Sequence, residues 1–193
     1  MIRLATQADI PAILAVYAPY VENTTYTFEY DVPTLDAFTA RFAAITAQFP
    51  WLVWEDDGKV LGYAYGSAPF ERAAYGWCAE VSIYLAPEIQ GKGIGKKLYA
   101  ALEAFLKLQG YKIIFSLITA ENSGSLAFHT HLGYSVCGNF PDCGLKFGRW
   151  LGVTWMKKEL FSGEIPINAP VSAACIVKNH RNFVNNLDNI PLF

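Results

Sequence analysis

Val81-Ser82-Ile83-Tyr84-Leu85-Ala86-Pro87-Glu88-Ile89-Gln90-Gly91-Lys92-Gly93-Ile94-Gly95-Lys96-Lys97-Leu98 is the stretch whose reading decides the fold. Its first five residues are rich in β-branched and aromatic side chains and read as a strand. Ala86-Pro87 stops that strand. Beyond the glycines, Leu98, Leu102 and Phe105 recur at i, i+4 and i+7, the period of an amphipathic helix. Lys107 falls in its last turn and Gly110 supplies a stop. The order is strand, glycine-rich turn, helix. The first turn of a helix carries N–H groups without intrahelical partners, and the helix dipole adds partial positive charge there. Glycines allow close backbone approach, and Lys92 and Lys96 add full charges, so the stretch suits a pyrophosphate. A plain tight turn has the same spacing, and both readings stay open on spacing alone. The P-loop and the dinucleotide fingerprint are set aside, because neither the Gly-Lys-Ser/Thr ending nor the third glycine at its required spacing is present.

Working outward, Ile2 to Ala5 reads as a short strand, and Thr6-Gln7-Ala8-Asp9 has capping-box spacing before the apolar-periodic run Ile10, Ile13, Leu14, Tyr17. Pro11 is tolerated in the opening turn of that helix. Asn23 to Tyr30 reads as a loop and Leu35 to Gln48 as a second helix, closed by Pro50. Asp56-Asp57-Gly58 between Trp51–Glu55 and Lys59–Tyr65 signals a hairpin. A long connection, 66–75, leads to the strand that ends at Leu85. Lys112 to Thr119 reads as a buried strand, Ser123 to Leu132 as a short helix ended by Gly133, and Gly144 to Lys158 as a turn and one final strand. The order β-α-α-β-β-β-α-β-α-β calls for a mixed α/β sheet, not a doubly wound parallel one. Beyond Glu159 the composition shifts: six of nine asparagines lie in the last 33 residues. Ala169 to Val177 is the one stretch there with the makings of an extra strand.

The 193 residues suffice for one domain with a sizeable core. Hydrophobic content of 53% against 17% charged residues indicates a globular chain. A net charge of −2 argues against a nucleic-acid surface, which rests on clustered Lys and Arg. No run of about 18 apolar residues predicts a membrane span. Met1-Ile2-Arg3-Leu4 lacks the apolar core of a signal peptide, so a cytoplasmic protein is expected. Cys78, Cys137, Cys143 and Cys175 form no Cys-x-x-Cys pair and are expected to be free thiols. His129 and His131 have no third ligand nearby, so no metal is expected.

Gln90-Gly91-Lys92-Gly93-Ile94-Gly95 resembles the Gln/Arg-x-x-Gly-x-Gly/Ala signature of the GNAT superfamily of N-acetyltransferases. Asn122-Ser123-Gly124-Ser125, Phe128-His129 and Leu132-Gly133-Tyr134 resemble that superfamily's later block. The segments 75–85 and 144–156, with Ala18 to Thr24 and Pro50 to Val53, are similar to the phosphinothricin and methionine sulfoximine acetyltransferases. The resemblance covers residues 1–160 and leaves 161–193 as an extension of unknown role. It implies a single-domain GNAT fold (a mixed central β-sheet flanked by helices, α/β of the α+β kind).

It also implies acetyl-CoA as co-substrate, its pantetheine arm along the strand through Ile83, Tyr84 and Leu85. Its pyrophosphate would lie on Gln90, Gly91, Lys92, Gly93, Ile94, Gly95 and Lys96, with Asn122 and Ser125 nearby. Glu80, the only carboxylate between Arg72 and Leu85, is the general-base candidate, matching the subgroup's glutamate; an ordinary strand-end carboxylate is the other reading. His129 matches the position of a proton donor, with a helix-packing histidine equally open. Phe28, Tyr75 and Trp77 are candidates for an aromatic acceptor pocket and Arg72 for a clamp on an α-carboxylate. One departure stands out: Phe147 occupies the position where phosphinothricin-selective enzymes often carry a histidine. The expected activity is acetyl transfer to a small amino-acid-like amine by direct attack. A peptide or protein acceptor, or a non-catalytic acyl-CoA-binding module, remain the alternatives, and a homodimer stays open.

Overall fold

The computed structural model describes residues 1–161 and 168–192. Seven strands form one sheet: β1 (Ile2–Leu4), β2 (Trp51–Asp56), β3 (Lys59–Ser67), β4 (Cys78–Leu85), β5 (Ile113–Thr119), β6 (Ser135–Lys146) and β7 (Arg149–Glu159). Their spatial order is β1-β2-β3-β4-β5-β7-β6. Only β4 and β5 run parallel. The helices are α1 (Ile10–Asn23), α2 (Leu35–Thr46), α3 (Ile94–Gln109), α4 (Ser123–His131), α5 (Ala173–Asn179) and α6 (Arg181–Val184).

Strand alternation sorts the core into two layers. Leu52, Ala64, Ala79 and Val81 pack against Leu98, Leu102 and Phe105 of α3. Trp51, Val53 and Tyr63 turn the other way, onto Ile13 and Tyr17 of α1 and Phe38 and Phe42 of α2. The three periodic residues of α3 are fully buried, as their spacing predicts, and Gly110 ends the helix at φ +99°. The capping box forms as well, with Asp9 accepting from the Thr6 N–H at 2.7 Å. Asp57 and Gly58, at φ +48° and +73°, make the two-residue hairpin turn.

Two readings of the sequence need correction. Where one closing strand is expected over 144–158, the chain makes a hairpin of two, β6 and β7. Strand β6 contains Gly138, Asn139, Pro141, Asp142 and Gly144, residues that argue against a strand. It tolerates them because it is the sheet's edge, and its pairing with β7 slips at Val136/Gly138 and Phe140/Gly144. The second correction concerns Ala169 to Val177. Its second half is α5, started by the Ser172 hydroxyl, which accepts from the Cys175 N–H at 3.3 Å. Val171, Ile176 and Val177 suggested a strand, but a helix suits what they cover: Ala173, Ile176 and Leu187 are buried in the α3 layer, and Phe183 meets Phe105 edge-on. Gln109 ties this segment down, its side chain donating to the Gln48 and Val171 carbonyls at 2.8 and 2.7 Å. Asp188 accepts the Ile2 N–H at 2.6 Å.

Candidate active site

Strand β4 is paired with β3 from Ser67↔Glu80 to its end at Gly62↔Leu85. On its other edge it holds β5 by three rungs only: Cys78↔Ile113, Ala79↔Ile114 and Glu80↔Phe115. The parallel pair parts there, and a cleft opens in the sheet, lined by Val81 to Tyr84 on one side and Ser116 to Thr119 on the other. The phase of the β3–β4 ladder sets what faces it. The Ala86 N–H donates to Leu61 O at 2.7 Å, so alternate residues (Tyr84, Ser82) also point their backbone groups at β3. The C=O of Val81 and the N–H and C=O of Ile83 and Leu85 therefore face the cleft.

At the C-terminal end of β4 the glycine turn adopts the conformation its residues permit. Gly91 and Gly93 lie at φ +72° and +77°, and a side chain at either would meet no atom within 4 Å. Gly93 is the N-cap of α3 and offers no side-chain cap. The intrahelical ladder begins with Lys97 N–H on Gly93 O, at 3.2 Å, so the N–H groups of Ile94, Gly95 and Lys96 have no intrahelical acceptor. A Cβ on Gly95 would lie 3.3–3.4 Å from Phe128, Ile83 and Leu85, so this glycine lets the helix start close against the strand. Free donors, dipole, open room and the charges of Lys92 and Lys96 fit a pyrophosphate. Gln90 is exposed and reaches back, its amide donating to Leu85 O at 3.1 Å.

Glu80 stands on the last rung before the strands part. Burial raises its carboxyl above the ordinary value. Its register partners Ser67 and Phe115, and Tyr65 opposite Ser82, share its face of the sheet. On that face α1 and α2 cover β2 to β4. The β5–β7–β6 wing beyond carries a half-exposed aromatic group instead: Phe70 stacks on Trp155 at 5.7 Å and meets Tyr75 at a tilt at 4.5 Å, and Phe115 meets Trp155 edge-on. Loop 24–30 reaches from α1 toward this wing. Thr25 O accepts from the Thr119 hydroxyl, and the buried Lys146 ammonium donates to Val21 O and Thr27 O, both at 2.8 Å.

The remaining candidates divide. Tyr75 is exposed within this aromatic group, and Arg72 lies exposed just before it, without an ion pair among the described residues. Phe28 lies flat against Gly144, where a Cβ would fall 2.2 Å from its ring. Trp77 does not join them: its indole N–H is engaged by Asn168 O at 3.1 Å, in the C-terminal extension. Asn122 caps α4 by accepting the Ser125 N–H at 3.0 Å and lines the cleft with Ser125.

His129 is held at both ring nitrogens. It is buried, and its Nδ1 lies 2.8 Å from Ser125 O, a carbonyl that only accepts, so the proton sits on Nδ1. Nε2 is left as the acceptor for the Tyr99 and Ser116 hydroxyls, each at 2.9 Å. Desolvation lowers the imidazole to about 4. The ring is neutral at physiological pH and has no proton of ready acidity to give. Tyr65, Tyr99, Ser116, Phe115 and Trp155 carried no motif in the sequence. Only the alternation of β5, polar Ser116 between Phe115 and Leu117, hinted that one face of that strand holds something besides core.

A family model described as "Acetyltransferase (GNAT) domain" matches residues 2–155. The chain belongs to the GNAT acetyltransferases. This GNAT acetyltransferase is 36% identical over 165 residues to a phosphinothricin N-acetyltransferase of Alcaligenes faecalis, covering 84% of each chain. It is 39% identical to an L-methionine sulfoximine/L-methionine sulfone acetyltransferase of Pseudomonas aeruginosa, over 82% of this chain and 94% of the relative. Among solved structures, a phosphinothricin acetyltransferase from Sinorhizobium meliloti in complex with acetyl-CoA superimposes with a TM-score of 0.83 at 35% identity, covering 88% of this chain and 94% of that one. The protein is an acetyl-CoA-dependent acetyltransferase.

Proposed function

We propose that the enzyme transfers the acetyl group of acetyl-CoA to the α-amino group of a small amino-acid-like acceptor of the methionine sulfoximine, methionine sulfone or phosphinothricin type. The observation that carries this is Glu80, a desolvated carboxylate at the point where β4 and β5 part, between a strand edge suited to the donor and an open aromatic face suited to the acceptor. The activities printed for the relatives support the acceptor class.

In this reading the Ile83 and Leu85 backbone pairs with the pantetheine arm, and the turn from Gln90 to Lys96 holds the pyrophosphate. Glu80, its basicity raised by burial, takes a proton from the acceptor ammonium directly or through a water. The free amine attacks the thioester carbon. A free N–H of β4 beyond the last rung meets the developing oxyanion. The C–S bond breaks, CoA leaves as a thiolate, a fair leaving group with a thiol pKa of about 8.5, and the second proton of the attacking nitrogen passes to that thiolate through solvent. Neutral His129 holds the Tyr99 and Ser116 hydroxyls in position and does not serve as the acid. No covalent enzyme intermediate is needed: burial raises the Cys78 thiol, which keeps it protonated. Arg72 and Tyr75 meet the acceptor's carboxylate and side chain, and Phe28 walls the far side.

The exposed residues Phe140, Leu145, Phe147 and Trp150 of the β6–β7 hairpin support a homodimer, with a second copy covering this apolar edge. Four free thiols fit a cytoplasmic location. Among the described residues no helix is long and apolar enough to cross a membrane.

The test is CoA release from acetyl-CoA across methionine sulfoximine, methionine sulfone, phosphinothricin and free amino acids, with Glu80→Gln in parallel. Turnover of a methionine derivative, lost in the variant, supports the proposal. Acetyl-CoA binding without turnover on any of them rejects it in favour of a peptide acceptor or a binding module.

A further inference from the structure

Tyr20, near the end of α1, lines two spaces at once. One is the cleft between β4 and β5; the other is a cavity of about 850 Å³ beside α1, bounded by Ala12, Val16, Pro19, Val60 and Leu61. Its hydroxyl is heavily engaged. It donates to Leu85 O at 2.6 Å, and receives Leu85 N–H at 3.4 Å and the Gln90 amide at 3.0 Å. Tyr84 supports the ring edge-on, with centroids 5.1 Å apart.

These contacts matter because Leu85 is one of the residues whose backbone faces the cleft. A pantetheine arm has two secondary amides, each a donor and an acceptor, and an extended ligand on a strand edge uses alternate backbone groups. Leu85 is the alternate residue nearest the pyrophosphate turn. The Tyr20 phenol and the donor molecule therefore draw on the same N–H and C=O.

We propose that Tyr20 is a positioning residue that competes with the pantetheine arm for the Leu85 backbone, and that the cavity beside α1 receives its ring when acetyl-CoA binds. The proposal rests on the reading that acetyl-CoA lies along β4. Tyr20 then sets how tightly the donor is held and leaves the chemistry at Glu80, five residues from Leu85 along the strand, untouched.

The test combines calorimetric acetyl-CoA affinity with hydrogen exchange at the Ile83 and Leu85 amides. Tyr20→Phe keeps the ring and removes the hydroxyl. It is expected to tighten acetyl-CoA about three- to tenfold, the worth of one net hydrogen bond, with kcat unchanged. Ala12→Trp, which fills the cavity, is expected to weaken binding in the wild-type background and not in Tyr20→Ala, where no ring needs the space. Unchanged or weaker binding in Tyr20→Phe overturns the proposal and makes Tyr20 a brace for the strand end. So does an Ala12→Trp effect that persists in Tyr20→Ala. If acetyl-CoA binds yet gives no protection at Ile83 and Leu85, the donor's placement along β4 is what fails.

Discussion

In the proposed reading seven consecutive residues, Gln90 to Lys96, supply the donor side of the site, whereas Phe28, Tyr65, Glu80, Phe115 and Trp155 reach the acceptor side from five separate segments. The donor side works mainly through backbone: N–H groups at a helix start and glycines at positive φ. The acceptor side works through side chains whose meeting depends on register across β3, β4, β5 and β7. A CoA nucleotide makes the same demand in every such enzyme, and a short backbone device meets it. An acceptor pocket is left to vary, and distributing it over many segments lets it change without disturbing the donor.

That division is open to direct attack. Glu80→Gln is expected to lower kcat by about 10²–10⁴ while leaving acetyl-CoA affinity alone. A matching loss of acetyl-CoA affinity would merge the two sides into one. In the wild type, the acid limb of kcat/KM should fall at a midpoint above the ordinary carboxylate value, because burial raises Glu80, and the variant should lose that limb.

The next effect concerns the wall between the sides. His129 titrates at about 4 in the fold against 6.5 unfolded, so between those values the unfolded chain binds the extra proton. Its contribution to stability is full above pH 6.5 and disappears as pH falls through about 4, a loss of roughly 3 kcal/mol. Denaturant unfolding at pH 7 and pH 4 reads it, and His129→Asn should flatten that part of the profile. An unchanged profile would mean that the ring is not neutral in the fold.

Gly93→Ala forces a side chain to φ +77° at a strain of about 1–2 kcal/mol, which predicts acetyl-CoA binding weakened by roughly tenfold with acceptor KM unmoved. Arg72→Gln is the smallest of the set. Its side chain is exposed, so a worth of up to about 1 kcal/mol gives at most a severalfold rise in acceptor KM, with none in acetyl-CoA KM. A rise in both would place Arg72 on the donor side instead.

What the sequence disclosed follows the same line. The strand–turn–helix unit around Gln90 to Lys96 was readable because its cause is local: glycine supplies positive φ, and periodicity supplies α3. The Asp57-Gly58 turn was readable for the same reason. Strand β6 was not, because its tolerance of Pro141 and Gly144 comes from lying at the sheet edge, a fact of topology that composition does not carry. Helix α5 was missed because Ile176 suits a strand until the α3 layer it is buried in is known. At the site, Glu80 stood out as an isolated carboxylate. His129, marked by the resemblance, had its protonation decided by Ser125, Tyr99 and Ser116, two of which lie on other elements. Trp77 was drawn away from the pocket by Asn168, some ninety positions further along the chain.

The three rungs between β4 and β5 have a mechanical side. A plate of four strands and a plate of three meet at Cys78, Ala79 and Glu80, and past that point nothing in the ladder couples them. Such a joint behaves as a flexure, in which a small rotation of one plate against the other is magnified toward the open end. The carboxylate of Glu80 sits at the pivot, where displacement is smallest, and the glycine turn lies out along the lever. The sheet can breathe to admit and release a long, flexible molecule while the group that handles the proton stays nearly still.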